Sequence, residues 1–243
     1  MPTGLAALLL ATPVFGLQLQ APTLMPGPWF SPEVVTVDAT LPLPELLQVD
    51  AADGEGETDT ADADRAYAAA VRQRMETGQI HRALGIATWF PMTFTVIMGM
   101  IQYYNLYGFG AGQNDNPCAT GSAVIGQDQC WGTPWPHLIG AAATTAMYSV
   151  TLSFSIGLLL NDPNEVLTGR GTFSDRMRAH AVLAIVHLAG MLAQTIIGIG
   201  LANNWFGDRA NDYSTMQTVA GIHQAIGWTT WGAYTAAGLL MLL

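Results

Sequence analysis

Four stretches of the chain are continuously apolar: Ile80 to Tyr104, His137 to Leu160, Ala179 to Ala202 and Thr218 to Leu243. None contains an acidic residue, and the only charge is Arg82, at the edge of the first. Each runs close to the ~20 residues that a helix needs to cross a hydrocarbon core. All are rich in Gly, Ala, Ser and Thr, the small residues that let transmembrane helices approach closely. The pattern predicts an all-α membrane protein in which residues 80–243 form a four-transmembrane-helix bundle. Composition agrees, with 50% hydrophobic and 11% charged residues against roughly 25% charged in an ordinary soluble domain.

Residues 1–79 read as an acidic, largely irregular N-terminal extension. Leu5 to Leu19 is apolar but short, contains Pro13 and has no Lys or Arg before it. That makes it a poor span and an atypical secretory signal. From Glu33 to Asp64 there are ten acidic residues and no basic one, the composition of a disordered or extended arm. This arm supplies most of the net charge of −10; it could dock a basic partner or simply be a solvated tail. Asp64 to Gln79 is Ala-rich and predicts an amphipathic lead-in helix to the first span.

Charge asymmetry sets the expected orientation. All eight basic residues are arginines. Arg65, Arg72, Arg74 and Arg82 precede or open the first span, and Arg170, Arg176 and Arg178 lie between the second and third. Only Arg209 lies on the other side. The positive-inside rule then makes the N-terminal extension and the 161–178 loop cytoplasmic, with the 105–136 loop extracytoplasmic. A bacterial inner (cytoplasmic) membrane is the expected location. The two cysteines, Cys118 and Cys130, both fall in the 105–136 loop. On an oxidising side this pair suits a structural disulfide better than a metal site, with two free thiols as the alternative.

Hydrophobic length does not explain the histidines. His81, His137, His187 and His223 each sit in a different apolar segment, each followed three or four residues later by glycine. A ligating side chain repeated in every span points to function, and the chemistry that fits is haem. HRALGIATW from His81 and HQAIGWTTW from His223 share His, Ala, Gly, Thr and Trp in register; HLIGAAATT from His137 and HLAGMLAQT from His187 form a second matching pair. Alternate helices enter from opposite sides, so His81 and His187 belong to the cytoplasmic layer and His137 and His223 to the outer one. Two facing imidazoles per layer are what a six-coordinate haem iron requires. The glycines one turn along would leave room for the macrocycle, or serve ordinary helix contacts. His180, seven residues before His187, lies on nearly the same helix face. It is expected at headgroup level, near a haem propionate or a reductant, with His81 and His180 as the alternative ligand pair.

The placement of His81, His137, His187 and His223, with the HQAIG motif of the last helix, resembles the cytochrome b561 superfamily over roughly Ile80 to Leu243. The resemblance implies four helices holding two b-type haems (two haem b) through four histidines, the first core helix paired with the third and the second with the fourth. It implies transmembrane electron transfer between a quinol or small reductant and a redox partner. The acidic arm and the cysteine-bearing loop are not features that the family requires. A non-redox membrane anchor or assembly subunit of a larger respiratory-type complex is the alternative.

Arg82, Arg176, Arg178 and His180 form the expected basic rim for propionates or an anionic donor, and Trp131, Trp135, Trp205 and Tyr213 the outer rim. Both sets could equally be interfacial anchors. The chain has no P-loop, dinucleotide fingerprint, serine hydrolase elbow or zinc spacing, and its acidity argues against nucleic acid. The lipid bilayer, a quinone and redox proteins are the expected partners. No span carries Asp or Glu, which argues against a carboxylate-based ion pump.

Overall fold

The computed structural model describes residues 56–131, 134–162 and 166–242. The short apolar segment and most of the acidic arm lie outside these residues. Four long helices carry the fold: α1 (Gly56–Tyr107), α3 (Trp135–Leu160), α4 (Thr172–Ala202) and α5 (Tyr213–Leu240). A one-turn helix, α2 (Pro117–Thr120), and a 3-10 turn at Gln127–Cys130 sit in the α1–α3 connection. The described residues contain no strand.

Helix α1 is 52 residues long, roughly 78 Å at ~1.5 Å per residue, and takes in both the Ala-rich run and the first apolar segment. It begins at Gly56, so the last part of the acidic arm is helical and not irregular. Pro91 lies inside α1. Its ring removes one backbone donor, a loss a transmembrane helix tolerates where neighbours compensate. Thr95 donates its hydroxyl to the Pro91 carbonyl at 2.7 Å.

Three of the four long helices are long and apolar enough to cross a membrane: α1, α3 and α4. Helix α5, at 28 residues, has the length but not the mean hydropathy. Gln217, His223, Gln224 and its threonines dilute the apolar content. Several of these polar groups face inward. Thr230 is 3% exposed, and Gln217 donates to the carbonyls of Tyr107 and Ala111.

The burial pattern is inverted relative to a soluble bundle. Thr88, Thr144, Thr151, His187 and Thr230 are buried, while Phe90, Ile139, Leu159, Ile185 and Ile196 are more than half exposed. An outer surface this apolar suits lipid, and interior hydroxyls linked in pairs suit helix association there. Thr88 meets Thr151 at 2.9 Å and Thr95 meets Thr144 at 3.0 Å, both joining α1 to α3. Helix α1 packs along α3 and α5, and α4 along α5.

The 105–136 loop is stapled. Cys118 and Cys130 form a disulfide with Cα atoms 5.5 Å apart, which restricts backbone that has few apolar residues of its own. Asn105, fully buried, exchanges two hydrogen bonds with the backbone of Val124, at 2.9 and 2.8 Å. Arg209 donates to the Cys130 carbonyl at 2.8 Å, and Tyr213 to that of Ala111 at 3.1 Å. The α4–α5 turn is thereby tied to the same loop.

Candidate functional site

Among the described residues no three His, Cys, Asp or Glu side chains converge as a metal cluster would require. The histidines instead come in twos. The rings of His81 on α1 and His180 on α4 lie edge to face with centres 6.3 Å apart and planes at 88°. Those of His137 on α3 and His223 on α5 stand 6.1 Å apart at 85°. A metal–imidazole nitrogen bond is about 2 Å and that nitrogen lies roughly 1.1 Å from its ring centre, so two imidazoles across one iron place their centres roughly 6.2 Å apart. Both pairs have that separation.

Three of the four rings have a hydrogen-bond partner at Nδ1, and the Nδ1 of His223 is buried without one. His137 donates its Nδ1–H to the Thr95 carbonyl at 3.0 Å. His180 donates its Nδ1–H to the Ala237 carbonyl at 3.0 Å. A carbonyl can only accept, so each bond fixes the tautomer and leaves Nε2 as the lone-pair nitrogen. His81 places its Nδ1 at 3.3 Å from the Ser155 hydroxyl. Ser155 in turn donates to the Thr151 carbonyl.

These contacts reveal an internal two-fold relation. Thr95 follows His81 by fourteen positions, and Ala237 follows His223 by fourteen. Each helix of the α1/α5 pair thus supplies a ligand-type histidine at one end and, four turns away, a carbonyl for the histidine of the other layer. Trp89 and Trp231, each eight positions after a histidine, meet between the layers with ring centres 6.3 Å apart. Their indole N–H groups are exchanged: Trp89 donates to Thr235 at 2.9 Å and Trp231 to Thr93 at 2.8 Å. The matched motifs at His81 and His223 therefore reflect a shared structural role. In the other helix pair, the residue equivalent to His137 is His180.

His187, expected opposite His81, lies elsewhere. It is buried at 9% exposure, bonded through Nδ1 to the Tyr148 hydroxyl at 2.8 Å, with the Tyr234 ring centre 5.0 Å away. Tyr234 donates to the Gly85 carbonyl at 3.0 Å. His187 therefore sits two turns deeper than His180, in the aromatic layer with Met92, Trp89 and Trp231, where it links α3 to α4.

Of the glycines after the histidines, Gly140 and Gly190 are packed tightly against neighbouring helices, whereas a Cβ on Gly85 or Gly227 would meet nothing closer than 3.7 or 3.5 Å. A Cβ on Gly140 would stand 2.9 Å from the Phe94 ring, and one on Gly190 would overlap the Thr230 hydroxyl. The glycines against the imidazoles are others: Gly99 abuts His137 and Gly198 abuts His223, where an added Cβ would come within 3.0 and 3.3 Å of the rings.

The expected basic rim is divided. Arg178 is committed to the carbonyls of Leu167 and Gly169 and to Asp175. Arg82 is exposed on α1, one position after His81. Trp131, Trp135 and Trp205 are all more than 60% exposed, as membrane-interface anchors are. Tyr213 serves the loop. Sequence reasoning missed Ser155, Tyr148 and the two carbonyls; the fourteen-residue spacing was visible but meaningless until the helices were paired.

No family model, curated protein or solved structure matches the chain.

Proposed function

We propose that this chain is a transmembrane electron carrier binding two b-type haems, one between His81 and His180 and the other between His137 and His223. The observation that carries this reading is the pair of perpendicular imidazole couples at 6.3 and 6.1 Å, with Nδ1 engaged in three of the four rings. The pairing joins the first long helix to the third and the second to the fourth, as the cytochrome b561 resemblance implies. Bound haem would supply reversible one-electron chemistry. Held by two imidazoles each, the haems would offer no open iron position to oxygen or substrate.

The protein's own residues set orientation and insulation. The Thr95 and Ala237 carbonyls and the Ser155 hydroxyl fix the imidazoles. Trp89, Trp231, Tyr148 and Tyr234 fill the space between the layers and exclude water. On α1 the layers are about fourteen residues apart, roughly 20 Å. In this reading α5 is the fourth span, its inward polar residues serving the site. The arginine-rich ends of α1 and α4 face the cytoplasm, the disulfide loop faces outward, and the membrane is a bacterial inner one. Electrons enter from a quinol or small reductant and leave to a redox partner.

The test is the spectrum of the purified chain reduced with dithionite. The sharp α-band of a low-spin b-type cytochrome is expected, and His180→Ala should halve the haem content. A colourless protein overturns the reading and favours a membrane anchor.

A further inference from the structure

We propose that the disulfide-loop end of the chain is the docking face for a small basic redox protein, with Phe109 at the centre of the contact. This rests on the di-haem reading above and names the class of partner that exchanges electrons with the His137/His223 site.

Phe109 lies beyond the last turn of α1, and it is 61% exposed. Its backbone is left-handed, with φ at +54°, a conformation that suits glycine and strains a bulky residue. The Gly108–Phe109–Gly110 turn thus displays a ring where a third glycine would sit more easily. Behind that ring lie Tyr104 and Tyr103, with ring centres 5.2 and 5.9 Å away. Tyr103 leads inward. Its hydroxyl would stand 3.2 Å from a Cβ on Gly221, two residues before His223, and Gly99, one turn before Tyr103, abuts His137. Aromatic packing therefore runs from the surface to the helix turns that carry both imidazoles.

The charge at this end is one-sided. The 105–136 and 203–212 connections carry Asp115, Asp128, Asp208 and Asp212 against a single cation, Arg209, and that cation is turned to the Cys130 carbonyl at 2.8 Å. Gln113 donates to the Ala210 carbonyl at 3.0 Å, which brings the turn of Asp115 beside the turn of Asp208 and Asp212. Hydrogen bonds from the Asn211 side chain and backbone hold Asp208 below the usual carboxylate range. Such a face repels anionic lipid and small anionic reductants and attracts a cationic protein. An exposed aromatic ring within a field of one sign fits a transient electron-transfer encounter, in which contact is small and association is steered. The exchange is one electron lost by the His137/His223 site and gained by the partner's metal centre, with no bond made or broken.

The experiment uses the full chain in lipid nanodiscs and a basic c-type cytochrome as probe, with the same cytochrome succinylated at its lysines as control. Isothermal titration reads binding, and stopped-flow spectroscopy reads oxidation of the dithionite-reduced chain. Affinity and rate should each fall about tenfold between low and physiological salt. Phe109→Gly, which relieves the backbone, should lower both about tenfold, and Asp115→Asn with Asp212→Asn should flatten the salt dependence. Glu45→Gln with Asp50→Asn, on the acidic arm, should change neither. Salt-independent transfer, equal rates with the succinylated probe, an unaffected Phe109→Gly chain, or a loss caused by the arm substitutions overturns the proposal. A colourless chain that still binds the probe, with the same dependence on salt and on Phe109, removes the di-haem reading and keeps the docking face.

Discussion

His187→Ala tests whether His187 is a structural histidine or a ligand. The imidazole is 9% exposed, bonded to Tyr148 at 2.8 Å and stacked edgewise on Tyr234. Truncation would open a cavity between α3, α4 and α5 and leave the Tyr148 hydroxyl without its His187 partner. Interhelical hydrogen bonds in membranes contribute about 0.6 kcal/mol on average and up to ~1.7. Large-to-small changes in a packed core cost about 2–5 kcal/mol, less where the site collapses. Partial collapse onto the flexible Met191 and Leu188 argues for the lower half, about 2–4 kcal/mol in all. Thermal unfolding in detergent, followed by circular dichroism, should show that loss while pyridine haemochrome analysis still finds two haems per chain. His180→Ala should give the opposite result, one haem lost and a smaller stability change. Loss of a haem from a well-folded His187→Ala protein, or full retention in His180→Ala, would refute the assignment.

Two further outcomes follow from packing and covalent structure. Gly190→Ala drives a methyl into Thr230, whose hydroxyl is already bonded to the Ile226 carbonyl at 2.7 Å, so overpacking should cost about 1–3 kcal/mol. Adding Thr230→Ala should recover part of that loss in the same unfolding assay, and purely additive losses would count against the contact. Cys118→Ser should destabilise by about 2–4 kcal/mol by freeing a short loop, and dithiothreitol should lower the unfolding midpoint of the unaltered chain but not of the variant.

The long helices were legible because lipid and interior demand uninterrupted apolar length, and the disulfide because both cysteines fall in one polar loop. Helix α5 is less apolar than the other three long helices because it buries polar side chains against α1. Depth along a helix was the harder quantity. His180 and His187 are seven residues apart and share a face, and periodicity reports the face alone. The HLIG and HLAG match favoured His187, which the structure places against Tyr148 and Tyr234, while Gly140 and Gly190 sit in helix contacts. The partner of His180 is the Ala237 carbonyl of α5, a backbone atom that no side-chain pattern reveals. The acidic arm illustrates a different limit, since its composition reads as irregular while its last residues extend α1.

Haem stoichiometry combined with low-temperature EPR of the purified, oxidised chain tests the di-haem assignment most directly. Two haems per polypeptide are expected, both low-spin, with the strongly anisotropic signals of imidazole planes set near 88° and 85°. A chain that binds no haem, binds only one, or shows a high-spin iron with an open position would contradict it.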